Sequence, residues 1–271
     1  MTERFFESTG ATEVEQAQAG EFGSRTNAKS WTALRDYPGQ VVSLTLSRFS
    51  ARDVPWAISQ MQWSKRPLRA IPEIGFLKLM GTGGGAGFST RPNLNVWTIL
   101  STWPSGAAAD RAQLTAVFAG RRKRAAESAT FHLAPVSVRG RWAGQAPFKT
   151  DGPARSDGPV VALTRATVRK RMLARFWRRV PSISHTIEGE GSVRFMIGMG
   201  EVPYLHQVTF SIWDDADAMA RFSRESATHG DAVRMVAKEG WFSEQLFARF
   251  RPIAGEGTWN GRSADDLLGL E

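Results

Sequence analysis

The stretch that decides the fold is residues 192–213, which read SVRFMIGMGEVPYLHQVTFSIW. Two runs rich in β-branched and aromatic residues flank a central segment, Gly-Met-Gly-Glu-Val-Pro. This pattern predicts two antiparallel strands joined by a turn. Residues 76–103 show the same pattern around a glycine-rich loop, and both copies end their second run on Ser-x-Trp.

Matching residues recur at one fixed separation along the chain, which indicates an internal duplication. The separation is 117 residues, since 165 − 48, 198 − 81 and 259 − 142 all give 117, and the matched pairs are Arg48 with Arg165, Gly81 with Gly198, and Trp142 with Trp259. The Ser-x-Trp pair departs from this register because 213 − 103 = 110. The first copy therefore carries seven extra residues in its glycine-rich loop and seven fewer in its later helical stretch.

Each copy is predicted to run strand, helix, strand, strand, helix, strand. The predicted strands are 41–49, 76–80, 95–103, 131–142, 160–168, the two of hairpin 193–213, and 248–259; the predicted helices are 54–64, 107–128, 169–180 and 214–247. This order is the ferredoxin-like unit. The predicted fold class is therefore α+β, with two ferredoxin-like repeats forming an α+β barrel within one chain and enclosing a cavity.

The division of the chain follows from this order. Residues 1–38 are rich in Glu, Gly, Ala, Ser and Thr and are predicted to be a flexible or loosely docked extension. Trp31 and Tyr37 are expected to anchor its end. Residues 39–150 form the first ferredoxin-like repeat, and residues 151–271 form the second. Residues after Gly261 are predicted to be a tail.

Composition excludes several chemistries. The chain has 271 residues and no cysteine, which excludes disulfides, thiolate-ligated haem, cysteine zinc sites and iron–sulfur clusters. No apolar run has the length of a membrane span, and the N-terminus lacks a signal pattern. These features predict a cytoplasmic protein.

The net charge of +9 suggests an anionic partner. Nucleic acid is not indicated, since no aromatic–basic stacking motif is present. The cationic segment 169–180 has an apolar stripe, so it could lie peripherally on the inner membrane. More often such a stripe packs a surface helix onto the body, and that is the preferred interpretation.

The histidines restrict the metal chemistry. Their positions are His132, His185, His206 and His229, and no two have metal-ligand spacing, so a zinc site of neighbouring histidines is not predicted. A haem iron requires only one proximal protein ligand. His229 is the best candidate, because Gly230 beside it leaves space for a flat macrocycle. On the residues alone, a histidine without a ligand that caps a helix is the commoner role. His185 is the second candidate, as a ligand or as a group on the opposite side.

Two arginines end predicted strands on otherwise apolar faces. Arg48 shares a face with Leu44 and Leu46, and Arg165 occupies the equivalent position in the second repeat. A cation there needs an anion or water nearby. The alternative is a strand-end arginine that reaches solvent. The glycine-rich loop at 81–88 lacks the ending of a phosphate-binding loop, so it is interpreted as a mobile cover over a pocket or as an ordinary hairpin loop.

Several of these segments resemble the spheroidene monooxygenase family of bacterial carotenoid 2-ketolases. The resemblance covers about residues 41–262 and rests on these segments: LTLSRF (44–49), GTGGGAGF (81–88), ALTRATV (162–168), IGMGEVP (197–203), VTFSIW (208–213) and His229-Gly230.

The resemblance implies a haem b oxygenase that oxidises C-2 of an acyclic carotenoid with O2 and electrons from a ferredoxin. It implies that His229 binds the iron and that His185 belongs to the site. Arg48 or Arg165 would then pair with a haem propionate. Alternative functions are a haem enzyme that dehydrates or N-oxidises another natural product, and a non-catalytic barrel that binds haem or lipid.

Overall fold

The computed structural model describes residues 28–84, 91–150, 158–178, 191–225 and 239–271. The nine strands in these residues are β1 (Val41–Arg48), β2 (Leu77–Gly83), β3 (Pro92–Trp103), β4 (Glu127–Gly140), β5 (Val160–Val168), β6 (Val193–Gly200), β7 (His206–Trp213), β8 (Phe242–Trp259) and β9 (Arg262–Ser263). The helices are α1 (Ala28–Arg35), α2 (Val54–Trp63), α3 (Lys65–Arg69), α4 (Gly106–Gln113), α5 (Ala116–Arg124), α6 (Ala216–Glu225) and α7 (Ala264–Leu268). A short 3-10 turn, Lys170–Met172, leads into helical residues 173–178.

Eight of the strands close into an antiparallel barrel. Their order is β4-β1-β3-β2-β6-β7-β5-β8, and β8 pairs with β4 to complete the ring. The two copies meet where β2 pairs with β6 and where β4 pairs with β8. This confirms the predicted barrel of two ferredoxin-like units, because each copy supplies four neighbouring strands.

Alternation along the strands separates the barrel interior from its outer faces. In β5, Val161 and Leu163 belong to the interior core, whereas Val160 and Ala162 pack in a cluster outside the barrel. The interior is filled by side chains from all eight strands, with Phe131 and Phe210 stacked near its centre at 5.5 Å between ring centroids. Successive residues of a strand point to opposite faces of the sheet. The side chains that point away from the barrel interior are therefore the ones that the helices can cover.

The structure corrects three expectations about element boundaries. The helix predicted over 107–128 is two helices, α4 and α5, and the chain is already in strand β4 from Glu127. The helix predicted to reach residue 247 gives way to β8 at Phe242. The tail after Gly261 contains α7, which buries Leu267 and Leu268 against the barrel core. Asp53 precedes α2 but makes no side-chain cap, because its carboxylate binds Ser50 and Arg124 instead.

The ends of the two repeats also pack more closely than their composition suggests. In α1, Trp31 and Leu34 are buried, which agrees with the expected anchoring role of Trp31. Phe148, near the end of the first repeat, is buried in the barrel core beside Phe250. Residues 1–27 and 151–157 lie outside the described residues.

A candidate ligand-binding face on the second repeat

The outer face of the second repeat's sheet is lined by small side chains. Thr164 of β5 lies directly opposite Thr209 of β7, which in turn lies opposite Gly198 of β6. The flanking rows place Ala162 opposite Ser211 and Ala166 opposite Gln207. We call this surface the shelf: Ala162, Thr164, Ala166, Gly198, Gln207, Thr209 and Ser211.

The dimensions of the shelf follow from strand geometry. Three strands at the usual spacing span about 10 Å, and the four-residue advance from Ala162 to Ala166 spans about 13 Å. Thr164 and Thr209 are both partly exposed. The shelf is therefore a flat surface without bulky side chains along its centre.

Apolar clusters border the shelf at both ends. At one end, Trp213 packs with Met219 and Phe222 of α6. At the other end, a cluster forms around Met172 and Trp241, and it includes Val168, Leu173, Phe176 and Phe242. The shelf and its borders thus form a slot suited to a flat, largely apolar ligand.

Strand β8, which pairs with β5, adds a cation to one side of the shelf. Arg249 lies opposite Ala162, and Phe247, with 41% of its surface exposed, lies opposite Thr164. The guanidinium of Arg249 is exposed and makes no ion pair with the described residues. A ligand carboxylate at this edge would meet an available bidentate donor.

The equivalent face of the first repeat is closed. With the offset of 117, Thr45 and Ser47 correspond to Ala162 and Thr164, yet their exposed fractions are only 5% and 0%. Thr45 hydrogen-bonds the Thr130 hydroxyl at 3.0 Å, and the Arg121 guanidinium of α5 donates to the Ser47 hydroxyl at 3.1 Å. Helix α5 and side chains therefore cover this face, whereas Thr164 and Thr209 keep partial exposure and have no such cover among the described residues.

His132 is part of this closed face. Its Nδ1 lies 2.9 Å from the Ser43 hydroxyl, and Trp31 packs edge-on against its ring. Burial lowers the pKa of His132 to about 3, so the imidazole is neutral. The position equivalent to His132 in the second repeat is Arg249, since 249 − 132 = 117.

Arg165 closes one end of the barrel rather than facing the shelf. Its side chain is 2% exposed, it forms an ion pair with Glu244, and it lies over the Trp142 ring at 5.8 Å. Glu244 also accepts the backbone N–H groups of Gly144 and Ala143 at 2.6 and 2.9 Å. Burial acts to raise the pKa of Glu244, but these N–H groups and Arg165 together hold it below its ordinary value.

Arg48 makes the matching arrangement at the opposite end. It forms an ion pair with Glu127 at 2.7 Å and lies over the Trp259 ring at 4.5 Å. The Gly261 N–H donates to the same carboxylate at 3.2 Å. We call each set of arginine, glutamate and tryptophan a latch. Because both arginines have internal carboxylate partners, the geometry favours a structural role for them, and their pairing with a propionate stays a prediction.

The Arg165 end of the barrel carries a second charged group. Lys78 and the Trp142 indole N–H bind the two carboxylate oxygens of Glu201 at 2.8 and 2.5 Å. His206 is next to this group, and burial lowers its pKa against the opposing influence of Glu201. These residues stabilise the turn between β6 and β7, which the sequence had singled out by its Gly-Glu-Val-Pro segment.

The two histidines predicted for the site, His229 and His185, lie outside the described residues. The described residues on either side of their segments belong to the two border clusters. Residues 226–238 join α6, in the Trp213 cluster, to Trp241 in the other cluster. Residues 179–190 join helical residues 173–178 to β6, so they also lead from one border cluster to the other.

Among the described residues, the shelf and its borders match the shape and chemistry of a haem. The shelf is flat, its borders are apolar, and Arg249 supplies a cation for a propionate at one edge. Sequence reasoning missed Thr164, Thr209 and Arg249. The signal was available in the repeat, because comparing the two copies residue by residue contrasts Ser47 with Thr164 and His132 with Arg249.

Sequence relatives share one name. A protein named spheroidene monooxygenase from Rhodobacter capsulatus is 45% identical over 228 residues, which cover 82% of this chain and 94% of the relative. A second protein of that name, from Cereibacter sphaeroides, is 42% identical over 226 residues, covering 82% of this chain and 70% of the relative. No protein-family model matches the chain.

A solved structure supports the fold independently. The crystal structure of an aldoxime dehydratase in complex with butyraldoxime aligns with a TM-score of 0.54 at 12% sequence identity. The alignment covers 87% of this chain and 86% of that one. At this level of identity the likeness concerns the α+β barrel alone.

Proposed function

The chain belongs to the spheroidene monooxygenase family and is thus a monooxygenase, and we propose that it uses haem b to oxidise C-2 of an acyclic carotenoid. The observation that carries the haem proposal is the asymmetry of the duplicated barrel. One outer face is filled by a buried polar network, and the other is a flat shelf between two apolar clusters.

His229 is proposed as the iron ligand. It follows the last residue of α6 by four positions, since 229 − 225 = 4, and its segment connects the two clusters that border the shelf. Gly230 next to it leaves room for a macrocycle. His185 is proposed to lie on the same site, because its segment connects the same two clusters. When bound, haem would supply the redox-active iron that oxygen chemistry requires.

The remaining residues would bind and orient. Arg249 would hold a propionate at the shelf edge, where Phe247 packs beside it. Trp213 and Trp241 would exclude water from the two ends of the slot, which strengthens electrostatic interactions inside it. The net charge of +9 suits the docking of an acidic ferredoxin as electron donor.

An absorption spectrum tests the haem proposal. We expect protein purified from cells fed a haem precursor to show a Soret band, and the His229→Ala variant to lose it. His206→Asn is the matched control, because it changes a histidine outside the shelf. A wild-type protein without the band, or an unchanged band in His229→Ala, would contradict the proposal.

The substrate proposal requires a separate assay. Haem-loaded protein supplied with spheroidene, oxygen and reduced ferredoxin is expected to give a C-2 ketone, detected by mass spectrometry. Turnover without oxygen or external electrons would instead assign the protein to the dehydrating alternative. Haem binding with no product from any carotenoid would assign it to the non-catalytic alternative.

A further inference from the structure

Helix α2 is apolar and uncharged, and part of its apolar surface is exposed. Its sequence is VPWAISQMQW, and Ala57 is its one buried residue. Trp63 at its end is 74% exposed and Ile58 is 45% exposed. A surface helix normally turns its apolar residues towards the core and places charges outside. Trp56 packs on Phe49 and Met61 packs against the core, but the outer side carries no charge and leaves Trp63 and Ile58 exposed, so these two side chains lack an apolar environment.

A run of cations follows this helix. Lys65, Arg66 and Arg69 of α3 are exposed, and none of them has a carboxylate partner among the described residues. No acidic residue occurs between Asp53, which pairs with Arg124, and Glu73, which pairs with Arg111. The α2–α3 surface is therefore purely cationic where it is charged.

An open cleft of about 460 Å³ lies between these helices and strand β2. Its apolar lining comes from Ile58, Met61, Trp63, Leu77 and Leu79. Lys65 and Arg69 lie at the same cleft, together with Lys78, whose charge Glu201 neutralises. The cleft thus combines an apolar floor with unpaired cations at its rim.

We propose that the α2–α3 surface, including this cleft, docks onto an anionic lipid bilayer. Exposed tryptophan is favoured at the boundary between headgroups and acyl chains, and cations beside it attract anionic headgroups. An acidic protein would satisfy the cations, but it would leave the exposed Trp63 and Ile58 without the deep apolar contact that a bilayer supplies. The surface differs from segment 169–180, for which the sequence left membrane contact open. In that segment, Met172, Leu173 and Phe176 pack in a cluster of the protein itself.

Co-sedimentation of the full chain with lipid vesicles tests this proposal. The wild-type protein is expected to bind vesicles containing phosphatidylglycerol and to bind pure phosphatidylcholine vesicles weakly. The triple variant Lys65→Gln, Arg66→Gln, Arg69→Gln should lose on the order of 100-fold in partition onto the anionic vesicles, since each cation near such a surface contributes about fivefold. High salt should weaken wild-type binding and leave the triple variant little changed.

The apolar part of the surface has its own test. Trp63→Ser should lower partition about tenfold onto both vesicle types, because it removes an inserted ring rather than a charge. Ile58→Ser provides a second apolar variant on the same helix. Both side chains are exposed, so neither substitution disturbs the core, and a thermal melt verifies this.

Matched controls lie outside the cleft. The variant Arg139→Gln, Lys149→Gln, Arg251→Gln removes the same charge from exposed positions, and Leu114→Ser removes an exposed apolar residue. Both controls should bind vesicles as the wild type does. The proposal would be overturned if the control triple variant lost as much vesicle binding as the Lys65, Arg66 and Arg69 triple variant. It would also be overturned if the wild-type protein did not bind anionic vesicles. Binding to an acidic protein but not to vesicles would assign the surface to a protein partner and refute the lipid assignment.

Discussion

Replacing His132 by asparagine should make protein stability less sensitive to acid. The folded protein buries this imidazole completely, with Nδ1 at 2.9 Å from the Ser43 hydroxyl, and burial lowers its pKa from 6.5 to about 3. The unfolded chain keeps the ordinary pKa. As the pH falls below about 6.5, His132 becomes protonated in the unfolded state but stays neutral in the folded state. Stability from the neutral imidazole is thus complete above that pH and is lost towards pH 3.

The size of the effect follows from the two pKa values. Between them, each pH unit costs about 1.4 kcal/mol of unfolding free energy. Lowering the pH from about 7.5 to about 5 should therefore cost the wild type about 2 kcal/mol more than the variant. Asparagine can still hydrogen-bond Ser43, so any constant loss in the variant shifts its curve without changing the slope.

Urea unfolding, followed by tryptophan fluorescence at several pH values, measures this difference. Carboxylates titrate in the same range, but they are common to both proteins and cancel in the comparison. His206→Asn serves as a control, because His206 is only partly buried and should produce a smaller change in slope. Parallel stability curves for the wild type and His132→Asn would refute the reasoning, since they would mean that the imidazole is protonated without cost.

Two further predictions concern the shelf and the latches. Thr164→Phe should lower haem affinity about tenfold, because the phenyl ring would occupy the space above the shelf. Haem transfer to apomyoglobin measures this affinity. The unfolding free energy of the variant without haem should change by less than about 1 kcal/mol. Arg165→Met should lower the unfolding free energy by about 3 kcal/mol in urea, because it leaves Glu244 beside the barrel without its cation. Arg48→Met should cost about 1 kcal/mol, because the pair with Glu127 is more exposed, and equal losses would contradict this account.

The repeat made the fold predictable from one sequence. Three residue pairs at a common offset gave the duplication, and the strand–helix order of each copy gave the closed barrel. The partners of the arginines were accessible by the same route, because Glu127 and Glu244 are also 117 residues apart, since 244 − 127 = 117. They were missed because acidic residues are common in this chain. Two glutamates 117 residues apart are therefore informative only once each is seen to pair with an arginine.

Two errors have physical causes. The start of β8, Phe-Ser-Glu-Gln-Leu-Phe, contains no β-branched residue, so its local preference does not indicate a strand. Pairing with β5 determines its conformation instead. The end of the chain has a short helix because Ser263 caps it, accepting from the Asp266 N–H at 2.9 Å, and because the barrel core covers its leucines. Both elements are set by tertiary contacts that a local pattern does not contain.

The open face itself was not predictable from local pattern, because it arises from a difference between the two copies. The latches are nearly identical in both repeats, including left-handed backbone at Ala143 and Asn260, with φ of 52° and 53°. Structural demands therefore preserve the barrel ends, whereas the outer faces have diverged. Ser47 is covered by its Arg121 donor, whereas Thr164 is partly exposed and has no equivalent donor among the described residues. With one face covered by α5 and the shelf on the other, the barrel offers one site for a flat ligand per chain, so a measured ratio of two haems per chain would contradict this division of roles.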